Sequence, residues 1–162
     1  MNKVYILLGA NLGNPLEQIE QAKNSIDTTI GKIVTRSSLY ETEAWGLEEQ
    51  PPFFNQVILV ETDMLAPDVL ATCQEIENTL GRVRHKKWDT RIIDIDILYF
   101  NDECIHTPKL VVPHPYLHFR RFTLVPLCEI APEYVHPQLF KTNQELLEAS
   151  TDPLSVKKLD LT

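Results

Sequence analysis

GRVRHKKWDTRIIDIDILYF, residues 81–100, divides into two halves of opposite electrostatic character. In the second half Ile93, Ile95 and Ile97 alternate with Asp94, Asp96 and Leu98, the period-two pattern of a strand. Alternation places Asp94 and Asp96 on one face, with attachment points about 6.5–7 Å apart. Carboxylates held so close repel unless a cation lies between them, so a divalent metal is their natural partner. The first half carries Arg82, Arg84, Lys86, Lys87 and Arg91, with Asp89 as its lone acid. A metal-binding pair beside a guanidinium cluster suits a polyphosphate carried by Mg²⁺. A half-exposed strand after a solvated basic loop is the other reading of these residues, since D-x-D also arises by chance.

The whole chain narrows the choice. At 162 residues a single domain, 1–162, is expected, large enough to bury roughly two thirds of its unfolded surface. The net charge of −8 argues against a general nucleic-acid surface or an anionic membrane partner, so the cations of 82–91 point to a small anionic ligand. Cys73, Cys104 and Cys128 are odd in number and widely spaced, which predicts buried thiols in a reducing compartment and neither disulfides nor a zinc site. His114 and His118 are four apart, but Pro115 between them speaks against one helix carrying both. The apolar run Val4–Leu8 is too short to span a membrane and is a poor match to a secretory signal; a first strand and a cytoplasmic location are expected.

In chain order, Val4–Leu8 reads as a buried strand, residues 9–14 as a loop, and Pro15 as the first residue of a helix. Its stripe is Leu16, Ile19, Ala22, Lys23 and Ile26, closed at Gly31. The loop lacks both G-K-[ST] and G-x-G-x-x-G, so any nucleotide must be held by other means. Residues 32–42 read as one strand, and residues 43–52, with Gly46 and Pro51-Pro52, as a lid-sized loop. Residues 53–61 alternate with Phe53, Asn55, Val57 and Leu59 on one side. A second helix starts near Ala66-Pro67 and stops at Gly81. The order is βαββαβ: an α+β, ferredoxin-like sandwich, an antiparallel sheet with both helices on one face. Six of the eleven prolines fall between Pro108 and Pro137, which predicts an appended Pro-rich C-terminal region of loops and short helices, one near 144–149.

Phe53 and Asn55 share a strand face beside the lid-sized loop, where a ring and an amide can hold a flat heterocycle; core packing is the alternative for both. Trp45 and Trp88 lie in the two loops, positioned either to close over a ligand or to pin the loop. Val112-Pro113-His114-Pro115 and Arg120-Arg121-Phe122 add a second group of cations and an aromatic. Together with residues 82–91 they form a consistent polyphosphate pocket.

These blocks, in this order, resemble hydroxymethyl-dihydropterin pyrophosphokinase, an enzyme family of the folate pathway. The resemblance runs from Val4 to about Pro132. It rests on Leu8-Gly9-Ala10-Asn11-Leu12-Gly13, Gly81-Arg82-Val83-Arg84, Trp88, Arg91-Ile92-Ile93-Asp94-Ile95-Asp96-Ile97, the two blocks just quoted, and residues 126–132, PLCEIAP. It implies a ferredoxin-like fold and transfer of a diphosphoryl group from ATP to the hydroxymethyl oxygen of a reduced pterin, releasing AMP. By motif, Asp94 and Asp96 would bind two Mg²⁺ ions, with Arg82 and Arg91 neutralising charge on the transferred group. The pterin would lie between Phe53 and Phe122, its edge read by Asn55, Thr42, Ala44 and Trp45, with its hydroxymethyl group near Asp94. ATP would meet Gln74, Glu77, Arg82, Arg84, Trp88, Arg91, Lys109, His114, Tyr116 and Arg120. The loops 43–52 and 82–91 would be its lids. Three positions depart from some relatives: Glu43 and Ala44 in place of prolines, Lys87 in place of Arg, and Phe53 in place of Tyr. ATP and the pterin are the expected partners, with no nucleic acid and no membrane, and a monomer is expected. A two-metal nucleotide-processing domain and a non-catalytic ferredoxin-like ligand-binding module remain the alternatives.

Overall fold

Val4, Ile6, Leu7 and Leu8 are buried because β1 (Asn2–Ala10) runs through the middle of a sheet covered on both faces. The computed structural model describes residues 1–43, 51–83 and 92–160, with 82 and 83 as backbone alone. β1 pairs antiparallel with β4 (Phe53–Thr62) on one side and β5 (Asp94–Phe100) on the other. The strand extends two residues beyond the expected loop boundary, since Gly9 and Ala10 still pair with Asn55 and Phe54. Residues 32–42 form two strands instead of one, β2 (Lys32–Arg36) and β3 (Tyr40–Thr42), both on β4. Ser37 makes the break: its hydroxyl accepts from the Val57 N–H at 3.0 Å, and its carbonyl takes the Gln56 amide at 2.7 Å. The sheet order β5-β1-β4-β3, with intervening helices, is the antiparallel ferredoxin-like arrangement.

Helix α1 (Pro15–Thr29) starts where Asn14 caps the Glu17 N–H and Pro15 presets the first turn, and it buries Ile19, Ala22 and Ile26. After it, Gly31 is required by proximity: a Cβ there would stand 2.0 Å from the Glu61 carbonyl oxygen. Helix α2 (Ala66–Val83) runs two residues past Gly81, the expected stop. Among the described residues no atom outside its own stretch of helix lies within 4 Å of the place a Gly81 Cβ would take. One glycine weakens a helix by about 1 kcal/mol without ending it. Both helices pack on one face of the sheet, over Ile6, Leu8, Ile58, Val60, Ile95 and Ile97.

The appended region is more integrated than its proline content implies. β6 (Ile105–His106) and β7 (Val111–Val112) make a small second sheet. Then α3 (Arg121–Ile130) and α4 (Asn143–Glu148) cover the other face of the main sheet, over Leu7, Val57, Leu98 and Tyr99. A register shift opposite Tyr5 and Ile6 puts both Leu98 and Tyr99 on this face, so the alternation that began at Ile93 breaks there. β8 (Val156–Lys158) returns to pair with β3 and extends the sheet. The three cysteines are unbridged, but only Cys73 is buried; Cys104 is exposed, contrary to expectation, because it follows β5 in a surface turn. Among the described residues no helix is long and apolar enough to cross a membrane.

Candidate active site

The second face of the sheet is not wholly covered by α3 and α4. Where β1 ends and β4 and β5 begin, a cleft of about 250 Å³ remains open. Its floor is Leu7 and Gly9 of β1, Phe53 and Asn55 of β4, and Asp94 and Asp96 of β5. Strand parity brings these together: Gly9 stands opposite Asn55 on one side and Asp94 on the other, and Leu7 stands opposite Asp96. A Cβ on Gly9 would lie 2.6 Å from the Asn55 Nδ2, so any side chain there displaces that amide. The Asn55 amide instead reaches across the glycine to the Leu8 carbonyl at 3.5 Å.

Thr42 and Glu43 close the side toward β3, Arg120 and Phe122 at the start of α3 form the opposing wall, and Leu154 completes the rim. The Thr42 hydroxyl is buried and has no hydrogen-bond partner among the described residues. An orphaned buried hydroxyl costs about 1–3 kcal/mol, and a ligand with a polar edge would relieve it. The Arg120 guanidinium lies over the rings of Tyr116 and Phe122, 5.1 and 5.4 Å from their centroids, which fixes a cation at the mouth of the cleft.

The outer edge of β5 is tied from both ends of the chain. The Glu77 carboxylate of α2 accepts the Ile95 N–H at 2.8 Å, between the two aspartates. The His114 N–H donates to the Leu98 carbonyl at 3.0 Å. Burial pushes the His114 imidazole below the ordinary histidine range; Arg120 adds to this and Asp96 opposes it. Its Nδ1 accepts the Tyr116 N–H at 3.1 Å, so the neutral ring carries its proton on Nε2.

Seven expected site residues therefore line one cleft: Thr42, Phe53, Asn55, Asp94, Asp96, Arg120 and Phe122. Glu77, His114 and Tyr116 stand beside it along β5 and next to Arg120. Gln74 and Lys109 are exposed and do not line it. Ala44, Trp45, Arg84, Trp88 and Arg91, the side chain of Arg82, and most of both expected lids lie outside the described residues. Leu7, Gly9 and Leu154 line the cleft without being among the expected site residues, and Glu43 lines it as the first residue of the expected lid 43–52. Gly9 and Leu7 become assignable to the cleft only through their pairing with Asn55 and the aspartates; nothing near Leu154 signals its place.

The donor set can be tested for a metal. Among the described residues no group of three or more His, Cys, Asp or Glu is placed to hold an ion. Two carboxylates facing an open cleft fit Mg²⁺, which takes one or two protein carboxylates and completes its shell from water and phosphate oxygens.

Comparison with known proteins gives consistent matches. A family model described as 7,8-dihydro-6-hydroxymethylpterin-pyrophosphokinase (HPPK) matches residues 5–132. A 2-amino-4-hydroxy-6-hydroxymethyldihydropteridine pyrophosphokinase from Aquifex aeolicus is 38% identical over 151 residues, 93% of this chain and 94% of that protein. Proteins of the same name from Methylorubrum extorquens and Haemophilus influenzae are 35% and 40% identical. They match over 99% and 85% of this chain, and 100% and 86% of their own lengths. Among solved structures, the wild-type HPPK-DHPS of Plasmodium falciparum superposes with a TM-score of 0.74 at 21% identity. The match covers 91% of this chain but 43% of the solved one, so this chain spans less than half of that protein; the likeness concerns the fold.

Proposed function

The chain belongs to the 7,8-dihydro-6-hydroxymethylpterin-pyrophosphokinase family, and from that premise we propose how its cleft works. The protein transfers the diphosphoryl group of ATP to the hydroxymethyl oxygen of 6-hydroxymethyl-7,8-dihydropterin, a step of folate biosynthesis. The hydroxyl oxygen gives up its proton to solvent and forms a bond to the β phosphorus, the bridge between the α and β phosphates breaks, and AMP departs with the electron pair of that bridge. The observation that carries this assignment is the sharing of one cleft by a carboxylate pair and an aromatic pair, with the buried Thr42 hydroxyl on the β3 side, across Phe53 from the aspartates.

In this reading Phe53 and Phe122 stack on the pterin, and Asn55 and Thr42, with Ala44 and Trp45, read its edge. That orientation sends the hydroxymethyl group toward β5. Mg²⁺, taken as two ions held by Asp94 and Asp96, would supply charge neutralisation and a lowered hydroxyl pKa. Arg120 and the Nε2–H of His114 supply cation and donor for phosphate oxygens at the mouth. Gln74, Glu77, Lys109 and Tyr116 belong to the same nucleotide subsite, as do Arg84 and Trp88. Arg82 and Arg91 neutralise charge as the α–β bridge breaks. Residues 1–162 act as one domain and one monomer in the cytoplasm, on small molecules alone; the net charge of −8 supports the exclusion of nucleic acid. A non-catalytic module has no use for paired carboxylates facing an open cleft.

The test is the fate of label. With ATP labelled in the γ phosphate, the label appears in the pterin product together with one unlabelled AMP. Stoichiometric ADP with a single phosphate on the pterin overturns the assignment.

A further inference from the structure

The segment that follows α4 takes part in no step derived above, yet it forms part of the cleft. It is pinned on both sides of Leu154. Before it, the Asp152 carboxylate accepts the Arg121 N–H at 2.9 Å and the Leu154 N–H at 3.0 Å. Arg121 stands between the two α3 residues of the cleft wall, Arg120 and Phe122. After it, β8 pairs with β3 so that Val156 faces Thr42, and the Leu159 N–H donates to the Leu39 carbonyl at 2.9 Å. Lys158 lies 3.8 Å from Glu129 of α3, a third tie to the same wall.

Leu154 is thus an apolar residue held in place by its neighbours and not by core packing. It belongs to neither apolar cluster of the sheet, and the surface it contributes faces the cleft. It lies two residues before Val156, the partner of Thr42, and lines the cleft together with Thr42. The strand order β5-β1-β4-β3-β8 then places the aspartates at one end of the cleft and Leu154 at the other. The step from β5 to β3 is about 14 Å at the usual strand spacing.

We propose that Leu154 is a specificity-determining residue: it is the end wall of the heterocycle subsite and limits what the ring remote from the transferred group can carry. This rests on the pterin reading of the cleft given above. With the hydroxymethyl group at the aspartates, the remote ring is the pyrimidine, whose exocyclic amine points toward β3 and β8. A fixed leucine there rejects an alkyl group on that amine by steric exclusion.

The experiment compares wild type with Leu154→Ala, Leu154→Phe and Leu154→Ile, using the parent pterin and its N-alkylamino analogue, with AMP formation as readout. One methylene in an apolar pocket discriminates by about 10–200-fold, which sets the scale. Leu154→Ala should raise kcat/KM for the analogue relative to the parent by about 10-fold or more. Leu154→Phe should raise the parent's KM by a similar factor, and Leu154→Ile should change the parent-to-analogue ratio less than Leu154→Ala does. Affinity for ATP alone should be unchanged in all three. An unchanged parent-to-analogue ratio in Leu154→Ala, with wild type active, overturns the proposal. Loss of ATP affinity together with pterin affinity also overturns it, since the residue would then be merely structural. A wild type that forms no AMP from ATP and the parent pterin overturns the functional reading itself, so the two failures are distinct.

Discussion

Replacing Gly9 by alanine should separate function from stability in a single atom. The Cβ would sit 2.6 Å from the Asn55 Nδ2, about 0.8 Å short of ordinary contact. The next nearest atoms, the Asn55 Cγ and the Phe54 carbonyl oxygen, are both at 3.8 Å, so the backbone has no need to move. What must move is the end of one side chain, and its bond to the Leu8 carbonyl is already long at 3.5 Å. The change in folding free energy should therefore stay within about 1 kcal/mol. The pterin, in contrast, loses an amide placed to read its edge, and an unpaired polar group at a buried contact costs about 1–3 kcal/mol. Pterin affinity should fall by about 5- to 150-fold, while ATP binds as before. Calorimetric titration of pterin in the presence of a non-hydrolysable ATP analogue measures the first quantity, and thermal unfolding measures the second. Starting from Asn55→Ala, the same glycine change should have little further effect, because the atom it displaces is gone. Unchanged pterin affinity in folded Gly9→Ala protein would refute the placement of Asn55 at the substrate edge.

Asp96→Asn should lower turnover by several orders of magnitude while folding is retained or strengthened, because a metal ligand is lost and so is its repulsion with Asp94; near-normal turnover in Mg²⁺ removes the metal assignment. Glu129 is partly buried, which raises its carboxyl pKa. Bonds from the Ser38 N–H, the Tyr40 hydroxyl and the Ser38 hydroxyl outweigh this and hold the group below the ordinary range, with Lys158 assisting. Its contribution is therefore present above the unfolded carboxyl pKa and is lost as pH falls through the lower folded value. Glu129→Gln should cost about 1–3 kcal/mol at neutral pH and flatten that acid limb, as denaturant unfolding between pH 3 and 7 would register. His136 is 2% exposed, and burial, with His118 beside it, lowers its pKa to about 4. The folded state excludes the charged form, so stability should drop by about 3 kcal/mol as pH falls from about 6.5 to 4. A His136→Phe variant that keeps the full pH dependence would assign the loss to other groups.

The element order and the β4 and β5 parts of the cleft floor were legible because β-strands write their two faces into alternate residues. Asn55 and Phe53 share parity with Val57, and Asp94 and Asp96 share parity with Leu98, so polar residues stand in series with core residues on one face. Such a series means that a covering layer stops partway along the strand. The layer is α3 with α4, and it stops at Arg120 and Phe122, which then become a wall. Departures arose where a local interaction overrode the pattern. Ser37 replaced ladder hydrogen bonds with side-chain bonds and split a strand, and Gly81 had too little helix-breaking strength to end α2.

Leu154 was out of reach for a different reason. Its position depends on Asp152 meeting a helix terminus thirty-one residues away in sequence and on β8 finding the free edge of β3. Neither event leaves periodicity in a stretch that reads Thr151-Asp152-Pro153-Leu154-Ser155. Local pattern reports what a residue's own element requires of it; it cannot report a contact whose geometry belongs to two other elements. Leu7 and Gly9 fall between these cases. The uninterrupted apolar run hides which of its residues face the cleft until the pairing with β4 and β5 is known. A buried central strand can thus carry a substrate surface without any polar residue to mark it, and glycine at that surface is the trace it leaves.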